Sequence, residues 1–366
     1  MVAPSGVIGG HMTDVRRATA GRTSGERWRP ARCRPAAPAA ADLVGVGAPA
    51  ADALLNQLAA DYNASLAAAG DTTSPRLYSW DARGTSTITP KTGAYEIFRP
   101  TNTRSALNAL AFNTSGTVDF ARLSRPPQQG DPTWIDFVPF VKDAVTWAAP
   151  AGGNAPKNLT SAELRWIYSC DITNWREIDP SLPDATIRPV VPGVHVSDPA
   201  TLRSSYLSDE MTAFAAAASP NGDPGTFYAG PCVTSGVAED QGEDAVLHDP
   251  NAIVPYSVGR WVGQVTGGHR KPGDDPGVLV PQSLDGTAPT VDGGTNPAFL
   301  TTWHGRTLYL GVRDGDWTGT DAHGRALRAV FGRNGWFCTS PVAAADVRSH
   351  GFLRLPAFVC GATTHA

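Results

Sequence analysis

DLVGVG at residues 42–47, followed almost at once by ADALLNQLAADYN at 51–63, is the stretch on which the fold turns. A short apolar run closed by glycines reads as a buried strand. In the second segment Leu54, Leu55, Leu58, Ala59 and Tyr62 recur at helical spacing, which predicts an amphipathic helix. A strand that feeds directly into a helix opens an alternating chain, and the sequence downstream continues the alternation.

Strands are expected at 76–80, 117–121, 135–148, 186–191 and 306–313, and helices at 105–112, 158–169, 197–218 and 325–332. Residues 252–265 read as a strand running into a helix, and 267–297 as a Gly/Pro/Asp-rich connection. The helix at 158–169 carries Thr160 with Glu163 three positions on, a capping box in which each side chain satisfies a free backbone N–H. Asp198 and Pro199 mark another helix start. The fold class is therefore α/β. Two strand-like segments, 135–148 and 252–258, bracket the middle third of the chain. A chain that leaves one lobe and later returns to it produces this order, so two lobes with a hinge and an interlobe cleft are expected. The boundaries are a tail at 1–41 and a body at 42–366, with lobe 1 formed by 42–140 and 258–366 and lobe 2 by 141–257.

Composition narrows the function. Charged residues are 17% of the 366, against roughly 25% in ordinary soluble domains. The formal net charge of -4 argues against a dedicated nucleic-acid binder, which shows a basic face. With 38 Gly and 31 Pro the chain is rich in turns, which excludes coiled coils and helical solenoids. No stretch approaches the roughly 20 apolar residues of a membrane-spanning helix. The tail holds Arg16, Arg17, Arg22, Arg27, Arg29, Arg32 and Arg34, then AAPAAA at 36–41. These are the charged start and small-residue end of an export signal without its apolar middle.

Of five cysteines, Cys33 lies in the tail and Cys170, Cys232, Cys338 and Cys360 in the body. Four body cysteines allow three pairings. Cys170–Cys232 with Cys338–Cys360 is the economical one, because each bond then staples one local stretch; four buried thiols are the alternative. Disulfides would place the protein outside the cytosol.

Catalytic and cofactor motifs are missing. There is no phosphate loop, no H-E-x-x-H zinc helix and no G-x-S-x-G elbow. GVG at 45–47 lacks the third glycine of a dinucleotide fingerprint. The acidic cluster Glu239, Asp240, Glu243 and Asp244 reads as a solvated loop before it reads as a metal site. A non-catalytic protein without metal or cofactor is expected.

Taken together, DLVGVG with its helix, LYSWDARGTSTITPKTG at 77–93, VDFARLSRPP at 118–127, FVPFVKDAVTWA at 137–148, NLTSAELRWIYSCDITNW at 158–175, DPNAIVPYSVGRWVGQ at 249–264 and VFGRNGWFC at 330–338 resemble the phosphate-binding proteins of actinobacterial phosphate ABC transporters. The resemblance covers about 42–361 and implies a two-lobed, type II periplasmic-binding-protein-like fold. It also implies an exported, extracellular or cell-surface, monomeric protein that closes around a small anion and is then met by a membrane permease. Helix N-termini, hydroxyls and an arginine would hold the anion.

Matching the family's ligand loops gives Ala48 in the first, Thr103 and Arg104 in the second, Ser124 and Arg125 in the third, and Arg203 with Ser204 in the fourth. The loops depart from the family. Ala48, Pro49 and Ala50 stand where hydroxyls are usual, and the glycines of the fourth loop are replaced around Asp198 and Pro199. A carboxylate and a missing N–H at that helix end oppose phosphate. Two readings follow: a binder of a small anion or polar solute, or a secreted interaction protein on a scaffold that has lost its ligand.

Overall fold

The computed structural model describes residues 37–193 and 230–365. The expected helix at 197–218, with Asp198, Pro199, Arg203 and Ser204, lies outside the described residues, as do Cys33 and most of the tail. The last residues before the body, also assigned to the tail, do bond to it. The Pro38 carbonyl accepts from the Thr92 N–H, and Ala39 donates to the Asp42 carboxylate at 2.6 Å.

Among the described residues ten strands form the main sheet: β1 (Leu43–Gly47), β2 (Leu77–Ser79), β3 (Phe120–Leu123), β4 (Ile135–Pro150), β5 (Arg188–Pro192), β6 (Thr234–Val237), β7 (Ala252–Ser257), β8 (Leu279–Pro281), β9 (Gly305–Arg313) and β10 (Leu353–Arg354). Their order is β2-β1-β3-β9-β4-β7-β5-β6, with β8 and β10 also paired to β4. The long helices are α1 (Asp52–Ala68), α2 (Thr103–Ala111), α3 (Ser161–Ser169), α4 (Val258–Val265), α5 (Ala322–Phe331) and α6 (Pro341–Ser349). The connection expected to be irregular at 267–297 contains β8 and three two-residue strands.

β4 organises the sheet. Along its 16 residues only Pro139 and Lys142 are not buried, as expected of a strand covered on both faces. Its first part pairs antiparallel with β9, and from Val145 onward it pairs with β7 and β8. The side chains change partners along with the backbone. Val138, Phe140 and Val141 pack in a core with α1, α5 and α6, and Ile135 and Phe137 pack with α2. Val145, Trp147 and Ala149 join a different core with α3 and Trp175.

A polar knot marks the changeover. Asp143, fully buried on β4, accepts from Arg306 of β9 at 2.9 and 2.7 Å, from the Ser257 hydroxyl at 2.9 Å and from the Gly259 N–H at 3.0 Å. A buried carboxylate demands this many donors. Ser257 also accepts from the Arg260 N–H and so caps α4.

Of the two helix starts read from caps, the one within the described residues is present. α3 opens on the Thr160–Glu163 capping box and ends at Cys170 in the left-handed conformation. Cys170 is bonded to Cys232, and Cys338 to Cys360, each across a Cα separation of 5.9 Å. α2 begins earlier than expected, because Asn102 and Ser105 form a reciprocal cap. Thr103 is therefore the first residue of a helix rather than part of a loop. β3 runs to Leu123 instead of stopping at 121, which brings Arg122 inside the strand.

Candidate functional site

Strands β2, β1 and β3 run parallel, and β1 lies between the other two. The chain leaves β1 through α1 toward β2 on one side, while β3 flanks it on the other. A crevice opens outside the carboxyl ends of parallel strands where the winding reverses in this way. That rule puts the expected crevice beyond Gly47 and Leu123, next to the start of α2, where the Thr103 hydroxyl accepts from the Ser124 N–H.

The close approach depends on two glycines. A Cβ on Gly45 would lie 2.1 Å from the Phe120 ring. Gly47 has φ +131°, and a Cβ there would meet the Arg122 carbonyl at 2.5 Å and the Ala106 Cβ at 2.9 Å. The GVG run therefore serves packing of β1 against β3 and α2.

Arg122 lies near the carboxyl end of β3 and ties it to the end of β1. Its side chain is fully buried and donates through Nε to the Ala48 carbonyl at 3.0 Å, through Nη2 to the Gly47 carbonyl at 2.9 Å, and through Nη1 to the Ser79 hydroxyl. All three acceptors are neutral. Three of the five N–H groups of a guanidinium are thereby used. Burial pulls the Arg122 pKa down to about 10, against the opposing charges of Asp52 and Asp81. That depression is the signature of a cation held without full charge compensation.

Ser124 lies two residues beyond Arg122, in the bend that follows β3. Its N–H donates to the Thr103 hydroxyl at 2.9 Å, while its own hydroxyl is buried without a partner among the described residues. The structure thus brings Thr103 and Ser124 together at the start of α2. Ala48 is also at the crevice, but its N–H donates to the Arg122 carbonyl at 3.1 Å, so it has no donor left for a ligand. Arg104 and Arg125 go elsewhere: both line a groove between α2 and the segment 125–132. Arg125 is committed there to Asp131 through two bonds of 2.7 and 2.8 Å.

Opposite α1 lies a second polar group that the sequence reading missed. Arg260 of α4 meets Asp274 at 2.5 Å and Asp52, in the first turn of α1, at 3.4 Å. Burial works against its charge, but the carboxylates of Asp52, Asp274 and Asp240 outweigh burial and hold the guanidinium firmly charged. Gln264 donates to Asp274 and to the Asp240 carbonyl, each at 2.8 Å. Arg83 donates to the Gly273 carbonyl at 2.7 Å and to the Glu239 carbonyl.

The acidic cluster expected to be a solvated loop is split: Glu243 and Asp244 are exposed, as expected, and the other two are not. Glu239 and Asp240 are buried, and Asp240 accepts from the Ser257 N–H at 2.8 Å. Among the described residues no cluster of histidine, cysteine or acidic groups could hold a metal ion. No described helix is long and apolar enough to cross a membrane.

The sequence model described as a PBP superfamily domain matches residues 34–253. No curated protein matches the chain. Among solved structures, an ABC-type phosphate transport receptor from Vibrio cholerae is similar with a TM-score of 0.54 and 15% identity, over 86% of this chain and 100% of that one. A putative phosphate ABC transporter substrate-binding protein from Clostridium perfringens, with bound phosphate, has a TM-score of 0.54 and 14% identity over 86% and 100% of the two chains. At these identities the likeness concerns the fold, which is the two-lobed α/β architecture of periplasmic binding proteins.

Proposed function

Since this chain belongs to the PBP superfamily, we propose that it is an exported solute-binding protein that takes a small oxyanion in the crevice beyond β1 and β3 and delivers it to an ABC permease. One observation carries the choice of an anion. Arg122 is a fully buried cation whose described hydrogen bonds all go to neutral oxygens. A negative ligand nearby would recover the interaction that burial has cost.

Thr103 and Ser124 would supply hydroxyl contacts, and the start of α2 a favourable dipole. Arg203 and Ser204, outside the described residues, would add contacts from the other lobe. We take the lobes as 42–140 with 258–366, and 141–257. Phosphate is the first candidate, since the similar structures include phosphate receptors and one with phosphate bound. The two disulfides fit an exported protein, which we take to be a monomer.

A thermal-shift panel tests the ligand class. Millimolar phosphate or sulfate is expected to raise Tm, whereas neutral sugars leave it unchanged. Ser124→Ala should weaken the effective anion by about 2- to 10-fold, the worth of one hydroxyl hydrogen bond. Stabilisation by a neutral solute alone would reject the anion assignment.

A further inference from the structure

Along α2, Arg104, Asn108 and Phe112 follow one another at intervals of four residues, so they form one stripe on the helix. Thr103, Ala106, Leu107, Ala109 and Leu110 are its buried residues. The stripe faces the segment 125–132 across a groove of about 360 Å³. That volume is within the range of roughly 300–1,000 Å³ typical of small-molecule sites. The groove is distinct from the crevice, and its reading does not depend on the function proposed above.

The groove is chemically graded. At one end is the Arg104 guanidinium, which has no hydrogen bond or ion pair with any described residue. The other cation, Arg125, is neutralised by Asp131, and the Gln128 N–H also donates to that carboxylate at 2.8 Å. Burial pushes the Asp131 pKa up, but the hydrogen bonds from Arg125 and Gln128 and the charges of Arg125 and Arg104 hold it below the ordinary range. Asp131 therefore stays ionised, with its hydrogen bonds committed to Arg125 and Gln128. At the other end Phe112 is 80% exposed, an expensive position for a large apolar ring. Leu107 and Pro132 continue this apolar wall, and Asn108 stands between the two ends.

We propose that this groove is a second ligand site, for an amphiphilic monocarboxylate. Its carboxylate would take both arms of the Arg104 guanidinium, a match of two planar groups. Its apolar body would lie along Leu107 and Pro132 and cover Phe112. Eight residues of helix separate Arg104 from Phe112, about 12 Å. A short chain carrying a phenyl ring fits this span, whereas phosphate, which has no apolar part, does not use it.

The test is a calorimetric titration of the full chain with 4-phenylbutyrate and with its neutral counterpart, 4-phenylbutan-1-ol. The acid should bind about tenfold or more tightly than the alcohol, a difference of one charge-assisted contact. Arg104→Gln should reduce the acid to the level of the alcohol, and Phe112→Ala should weaken both. Both side chains are exposed, so melting curves of the variants should match that of the parent. Hydrogen exchange with the acid bound should slow within 104–112 and 125–132. The proposal is overturned if millimolar acid gives no heat, if acid and alcohol bind alike, if Arg104→Gln is without effect, or if exchange slows elsewhere.

Discussion

Gly47 shows how far one residue governs the crevice. Its φ of +131° is unfavourable for any side chain, and its Cα faces the backbone of β3 at a distance that leaves no room for a methyl group. Gly47→Ala should therefore destabilise the protein by about 1–3 kcal/mol through strain and overpacking. Chemical denaturation measures this, and an unchanged midpoint would mean that β1 and β3 can separate freely. The sequence already showed glycines at 45 and 47, but their purpose depends on Phe120, Ala106 and Arg122, which lie far along the chain. Arg122 was illegible for the same reason. Its meaning comes from Gly47, Ala48 and Ser79, which only the folded sheet brings to it. The misreading of Asp240 is of the same kind, since Ser257, which holds it, belongs to another strand.

At the scale of elements, caps and continuous apolar runs were legible because they act over a few residues. The Thr160–Glu163 box fixed the start of α3, and the apolar length of 135–148 announced β4. Pairing between elements was less so, and the contact of α1 with α6 is an example. Asp346 on α6 lies close to the Asp61 carboxylate on α1. Burial, then the negative charge of Asp61 and a hydrogen bond to it, raise the Asp346 pKa from 3.8 to about 6. The Asp61 carboxylate is further held by Gln57 at 2.7 Å.

A raised acid pKa means that the folded state keeps a proton the unfolded chain releases. The stabilisation is complete below the unfolded value near 3.8 and is lost as pH rises through about 6. Asp346→Asn should flatten the stability profile between pH 4 and 7 (roughly the window between the two pKa values). A profile identical to that of the parent would remove the pair from the account. The disulfides act on elements too. Cys170–Cys232 closes a separation of 62 residues and Cys338–Cys360 one of 22. On loop-closure entropy, loss of the first should cost about 4 kcal/mol and loss of the second about 3. Denaturation of the two double-alanine variants checks the order, and a larger loss for the shorter loop would contradict it.

Across the whole molecule, β4 joins the cores that α1 and α3 cover, and the Asp143 knot sits where its partners change. The same architecture places Arg122, Thr103 and Ser124 at one crevice and sends Arg104 and Arg125 to a separate groove. The sequence groups Thr103, Arg104, Ser124 and Arg125 with Ala48, Arg203 and Ser204 as contacts for one ligand and passes over Arg122, because matching of loops gives position along the chain and not the direction of a side chain. The claim that unites the fold with a function is that the buried Arg122 guanidinium awaits an anion. Calorimetric titration of the intact protein with inorganic phosphate, and then sulfate, measures it most directly. The account predicts saturable heat with at least one of them, and its loss in Arg122→Met. Absence of heat with both at millimolar concentration, or an unchanged titration in the variant, would contradict it.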